Sequence, residues 1–412
     1  MPSGRVLIGL SDAGVSSLGN LSLSWIGARF LEISQFGVLS TVLFAGLIFA
    51  GLSKAGLIDG YTLRHSDSHT RRGNLATRRA LGAVLVFGLA SAVGLLAVGV
   101  VTSLIVEFPP VALLLSLTVL PLVIQDGFRW LCYANADEGL ALVSTVVWTG
   151  GTWVGVALLV ALDHVTLALL VTIWAGSAGL GALVAMSWTR TWPAFRGAWR
   201  WWREINSIGS RSSLDFLLTQ SVSMGGGLVV AAAAGPAAFG LVRLAQLPFA
   251  PIQVLVMGSI ALIQPSMVIR VREGRPDTAF SLGLRVCAAL AIATLGITVL
   301  VLVVPTDVMM AILGESWQEA MWLAALVSAA MLGSVVGACF GPFLRARGLL
   351  DFEVRWKAIA SPTSLLLVLV GATVWGAAGG AVALAVGALL FSLPLAARAR
   401  SSVSPTSARY AQ

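Results

Sequence analysis

Basic residues in this chain fall on alternate breaks between long apolar stretches, and no other feature constrains the fold as tightly. From Ser11 to Ala397 apolar runs are separated by short polar breaks. One set of breaks carries Arg64, Arg71, Arg72, Arg78 and Arg79, then Arg190, Arg196, Arg200 and Arg203, then Arg270, Arg272 and Arg275. The same set continues with Arg345, Arg347, Arg355 and Lys357, then Arg398 and Arg400. The intervening breaks carry almost no positive charge. Lysine and arginine resist translocation, so basic loops stay on the cytoplasmic side. A multi-pass protein of a cytoplasmic (inner) membrane is therefore expected, with N- and C-termini cytoplasmic.

Composition agrees: 58% of residues are hydrophobic and only 11% charged, outside the range of soluble domains. A hydrocarbon core of about 30 Å needs about 20 apolar residues per helix. The predicted spans are 9–30, 36–58, 80–104, 111–131, 139–161, 165–188, 211–234, 241–268, 281–304, 318–344, 358–376 and 378–397. Twelve spans that start inside also end inside, in keeping with Arg398, Arg400 and Arg409. Segments this long and uniformly apolar satisfy their backbone as helices, so the expected fold is all-α. Arg5 precedes an apolar stretch that continues to about Phe30, longer than a signal-peptide core, and reads as a retained first helix.

A pI of 10.4 does not point to nucleic acid here, because the arginines sit in short loops beside apolar helices. Anionic phospholipids are their natural partners. Cys132, Cys287 and Cys339 lack the spacing of a metal site or a disulfide framework, so no metal or cofactor is expected.

Near the middle, residues 189–210 read TRTWPAFRGAWRWWREINSIGS, four tryptophans among four arginines. That mixture favours the membrane–water interface. An amphipathic interfacial helix is expected there, either a lipid-sensing or partner-docking element or simply a linker. The expected organisation is a six-helix lobe at 1–188, the linker helix at 189–210, a second six-helix lobe at 211–397 and a tail at 398–412. The halves repeat weakly: Phe36-Gly37 precedes the second span and Phe239-Gly240 the eighth. An even number of helices per half gives a parallel, pseudo-symmetric repeat, usually around a central cavity.

Four stretches carry a family resemblance. ARFLEISQFGVLS resembles the first loop of polysaccharide and lipid-linked oligosaccharide flippases of the multidrug/oligosaccharidyl-lipid/polysaccharide exporter superfamily. GPAAFGLVRLAQLPFAPIQVL is similar to the same element in the second half, ILGESWQEAMWLAALVSAAML to the start of helix ten, and FLRARGLLDFEVRWKAIA to the basic loop before helix eleven. The resemblance implies two six-helix bundles around a cavity, in a bacterial membrane. It also implies a polyprenyl-diphosphate-linked glycan as substrate, and polysaccharide polymerases or glycosyltransferases of the same route as partners. Twelve spans rather than fourteen set the chain apart from relatives that flip the peptidoglycan precursor. The family's cavity charges vary, so no site residue carries over.

Site candidates therefore come from charges at helix depth, which are costly and usually face a cavity or a partner. Lys54 in the second span either holds the diphosphate or snorkels to the interface. Arg29 and Arg243 lie at the outer ends of helices, one per lobe; Arg29 has Glu32 within one turn. Asp126 and Arg129 are spaced i, i+3, which fits a salt bridge and also keeps Arg129 as a substrate-binding candidate. Gln246 and Gln253 suit sugar hydroxyls. Asp215, Asp59 and Asp126 are candidates for coupling an ion, since burial raises a carboxylate's pKa; Asp215 equally suits a helix N-terminus.

The chain has no phosphate-binding loop and no HExxH motif, and its outer loops are short, so a transporter is expected rather than an enzyme. Export of a lipid-linked glycan by alternating access is the leading expectation. Multidrug or cation efflux, or a non-transporting scaffold for envelope synthesis, are the alternatives.

Overall fold

The computed structural model describes residues 2–65, 75–103 and 111–403; Arg71, Arg72, His69 and Arg409 lie outside them. Among the described residues the chain is helical throughout, with no strand. Ten helices are long and apolar enough to cross a membrane, which makes this a multi-pass membrane protein. One of the ten, Leu350–Ser401, is 52 residues long, roughly 78 Å at 1.5 Å per residue and far beyond one crossing. It reverses at Trp375 and Gly376, where Gly376 takes φ 60 and ψ −134, a backbone region essentially closed to residues with a Cβ. Below that turn Trp356 Nε1 donates to Phe391 O at 3.1 Å, so the two arms lie side by side. Counting this hairpin as two helices, and adding the serine- and glycine-rich first helix, gives twelve.

The chain forms two compact units, Met1–Leu217 and Leu218–Gln412. The first contains α1 (Pro2–Phe30), α2, α3 (Leu75–Ser103), α4 (Val111–Ala134), α5 (Glu138–Ala161) and α6 (Leu167–Thr189). Helix α2 joins Ile33–Ser53 to Asp59–His65 through a π turn, Lys54–Ile58. Helix α4 is the hub, packed on α2, α3, α5 and α6, while α1 lies along α5. The chain passes to the second unit within α7, which runs Ala198–Gln220, a π turn Ser221–Gly225 and Gly226–Ala234. Then follow α8 (Pro236–Gln246, a 3₁₀ turn Leu247–Phe249 and Ala250–Arg272), α9 (Pro276–Val303) and the short helix Thr306–Leu313. Helix α10 comprises Trp317–Ala320, Met321–Leu323 and Ala324–Ala346, and the hairpin supplies α11 (350–374) and α12 (377–401). Here α10 is the hub, packed on α8, α9 and the hairpin. The fourth helix thus organises each unit, and both hubs carry an internal proline, Pro121 and Pro342. The repeated Phe-Gly pairs are buried at the start of α2 and α8.

Residues 189–210 differ from a self-standing interfacial helix. After the left-handed Arg190 the chain is irregular to Gly197, then enters α7, which continues without a break into its apolar part. The reason is packing: Trp201 and Ile205 are buried, and Gly209 backs onto the Gly56 carbonyl of α2, an approach that leaves no room for a Cβ.

Candidate functional site

The charged residues at helix depth in the first unit come together on α1, α2 and α4. Arg129, five residues from the end of α4, donates from Nε to Asp12 Oδ2 of α1 at 2.6 Å. Tyr133, one turn further, donates its hydroxyl to the same oxygen at 2.5 Å. Positions 129 and 133 share a face of α4 by their i, i+4 spacing, so one carboxylate oxygen receives both groups. Asp126 completes the cluster at 3.5 Å from Arg129. Asp12 is fully buried, and its other oxygen, Oδ1, has no hydrogen-bond partner.

Lys54 approaches from α2. Its ammonium sits 4.3 Å from the centre of the Trp130 ring, which Arg129 also faces at 5.6 Å. It is 3.5 Å from Asp59, with both side chains about one third exposed. The π turn makes that ion pair. In an α-helix residues five apart diverge by roughly 140°, whereas a π turn bonds i to i+5, and the Asp59 N–H does bond the Lys54 carbonyl. Arg129 is thus held between two carboxylates, while Lys54 is more exposed and meets an aromatic face and the Asp59 carboxylate.

Above Asp12, Ser16 and Asn20 continue the same face of α1 at i+4 and i+8. They line a narrow crevice with Trp148, Thr149, Thr152 and Trp174. Trp174 Nε1 donates to Asn20 Oδ1 at 3.3 Å, and Trp148 Nε1 to Trp174 O at 3.1 Å. This stripe offers hydroxyls and an amide, with no charge beyond Asp12.

In the second unit a half-buried cation, Arg243, lies near the start of α8. Arg243 of α8 donates to Gln246 Oε1 at 3.2 Å, one turn along. Nearby chemistry is uncharged: the π turn of α7 disturbs the backbone ladder, and Ser361 Oγ of α11 donates to Leu218 O at 2.6 Å, satisfying a carbonyl beside that turn. Its buried ion cluster lies at the α10–α11 turn, where Glu353 accepts from Arg345 Nε and NH2 at 3.0 and 2.8 Å. Lys357 is 2.9 Å from the same carboxylate.

Of the residues the sequence singled out, the structure brings Lys54, Asp59, Asp126 and Arg129 into one cluster and pairs Arg243 with Gln246. Asp215 and Gln253 lie exposed on α7 and α8, and Arg29 lies exposed in the last turn of α1. Sequence reasoning missed Asp12, Trp130 and Tyr133. The available signal was Asp12 itself, the one carboxylate in the first span.

No family model matches the sequence, and no curated protein does. Solved structures do match over nearly the whole chain. The inward closed lipid II flippase MurJ aligns with TM-score 0.72 at 10% identity, over 95% of this chain and 87% of that one. An inward-facing multidrug resistance MATE family transporter of the MOP superfamily aligns with TM-score 0.62 at 13% identity, over 98% and 100%. A MOP superfamily transporter from Pyrococcus furiosus, described as having a binding pocket of reversed polarity, aligns with TM-score 0.52 at 14% identity, over 97% and 94%. The chain therefore shares the fold of these solved structures.

Proposed function

We propose that the chain exports a polyprenyl-diphosphate-linked oligosaccharide across a bacterial cytoplasmic membrane by alternating access, with the basic loops on the cytoplasmic side. One observation carries this reading: each unit keeps a partly open cation at helix depth, Lys54 beside Trp130 and Arg243 beside Gln246. Placing a cation at the centre of a span costs about 2.5–3.5 kcal/mol, and a diphosphate headgroup is a ligand that uses it. The likeness to a lipid II flippase supports a lipid-linked substrate. Gln246 and the exposed Gln253 supply neutral groups for sugar hydroxyls. Asp12, whose Oδ1 is buried without a partner, joins Asp59, Asp126 and Asp215 as a carboxylate able to take up a coupling proton or cation.

A second reading, efflux of an organic cation, is favoured by a different observation. In the first unit Asp12, Asp59 and Asp126 outnumber Lys54 and Arg129, and Trp130 and Tyr133 stand among them with ring centres 5.4 Å apart. A carboxylate-rich, aromatic site suits a cation, and the MATE neighbours fit it.

Proteoliposomes separate the two. Protein-dependent movement of a labelled polyprenyl-diphosphate oligosaccharide, read by a leaflet-selective enzyme and absent for an ordinary phospholipid, supports the flippase. Accumulation of a fluorescent cation under a proton or sodium gradient, with no glycan-lipid movement, replaces it with efflux.

A further inference from the structure

Residues 188–203 form a surface outside the candidate site described above. The sixth helix ends at Thr189, so this stretch sits where a span meets the headgroups. Its backbone is fixed to the rest of its unit. Ala194 N donates to Arg78 O at 2.8 Å, Arg78 Nε to Trp192 O at 3.1 Å, and Arg64 to Glu204 O at 3.0 Å. Trp201 and Ile205 turn inward, Trp201 with its ring centre 6.5 Å from that of Tyr61. What remains outward is aromatic and of one sign. Trp188, Trp192, Phe195 and Trp199 are 73%, 45%, 59% and 63% exposed, and no carboxylate occurs between Trp188 and Arg203. Trp199 stacks on Trp202 at 4.7 Å, with Arg203 over Trp199 at 5.6 Å. Arg190, Arg196 and Arg200 are exposed beside them. Glu204, the next acid along the chain, faces Arg64 at 3.9 Å.

We infer that this surface docks on the anionic phospholipid headgroups of one leaflet, the arginines meeting phosphates while the rings enter the boundary with the acyl chains. An acidic protein would answer the charge but not the exposed rings at a span end, and indole at that depth belongs to lipid. The same surface stands at the head of α7, so lipid held there bears on the position of a helix shared by both units.

The test uses the full chain in detergent, offered phosphatidylglycerol or phosphatidylcholine in mixed micelles, with bound lipid read by native mass spectrometry. Phosphatidylglycerol is expected to be retained preferentially, and less so as salt screens the charges. Combining Arg196→Gln, Arg200→Gln and Arg203→Gln is expected to cut the preference by about fivefold per arginine. The singles Arg196→Gln and Arg200→Gln, both exposed, give the same reading should the triple fail to fold. The triple in the second unit, Arg270→Gln, Arg272→Gln and Arg275→Gln, lacks the exposed tryptophans and is expected to cost clearly less of the preference. An equal loss from both triples would reduce the effect to net charge and overturn the site. Equal retention of the two lipids by the unaltered chain would overturn the headgroup assignment and make an acidic protein the counterpart.

Discussion

The first unit spreads its clustered charge across three helices, with the buried Asp12 on α1, the half-buried Lys54 on α2 and Asp126 with Arg129 on α4. The second keeps its densest charge, Arg345, Glu353 and Lys357, within one helix–helix turn. Both hang six helices on their fourth, so the apolar framework repeats where the charges do not. The difference lies in what each arrangement constrains. An ion cluster at a turn is local, satisfied by residues at most twelve apart, and stabilises one end of the unit whatever the helices do elsewhere. A cluster assembled from α1 and α4 forms only when those helices are in one relative position. The first is suited to holding a unit together and the second to reporting a change within it.

The largest expected effect tests the structural half of that contrast. Glu353→Ala leaves the buried Lys357, and the exposed Arg345, without this carboxylate, a loss of about 3 kcal/mol, read as a lowered Tm in detergent. Adding Lys357→Ala should restore part of it. Equal Tm values for the single and double variants would mean that the triad is not a unit.

Asp12→Ala should cost about 3 kcal/mol at most, because Asp126 still neutralises Arg129. Asp12→Asn is the sharper probe. It retains an oxygen for Tyr133 and should fold, yet it removes the titratable group; transport by this variant should be lost or cease to depend on a proton or sodium gradient. Full, gradient-dependent transport by a stable Asp12→Asn protein would reduce the α1–α4 cluster to a structural one and erase the contrast between the units.

The third effect lies where the last helix pairs differ. Helices α5 and α6 are joined by a five-residue link, 162–166, whereas α11 and α12 turn on two residues, Trp375 and Gly376. Gly376→Ala forces a Cβ into φ 60, ψ −134, at a cost of about 1–3 kcal/mol. Hydrogen exchange should show the loosening in the 350–401 hairpin and not in α5 and α6.

The spans were legible because apolar length is a one-dimensional property, and the Phe-Gly repeat because its two copies occupy like positions. The Asp126–Arg129 pair followed from i, i+3 spacing. The rest depends on features with no local signature. Asp12 meets Arg129 and Tyr133 across 117 and 121 residues of sequence, and nothing near it in the chain names its partners. Lys54 and Asp59 fall on different helix faces under the α-helical period, and only the π turn aligns them. The continuous α7 was hidden because residues 189–210 are polar enough to read as a surface element, while the inward face of Trp201, Ile205 and Gly209 appears only once α2 is beside it.

The smallest expected effect on stability carries the most about function. Lys54→Ala removes a cation–ring contact and a partly exposed ion pair, each about 1 kcal/mol or less. Insertion and Tm should therefore barely change. Arg243→Ala makes the same test at a half-buried cation of α8 in the second unit, which donates to Gln246. If each cation meets the diphosphate during export, each single variant should lower glycan-lipid movement in proteoliposomes. If Lys54 serves only the cluster around it, its loss should leave movement intact. Full movement by the double variant would remove both residues from the site, and the unequal charge of the two interiors would then stand as a difference in packing alone.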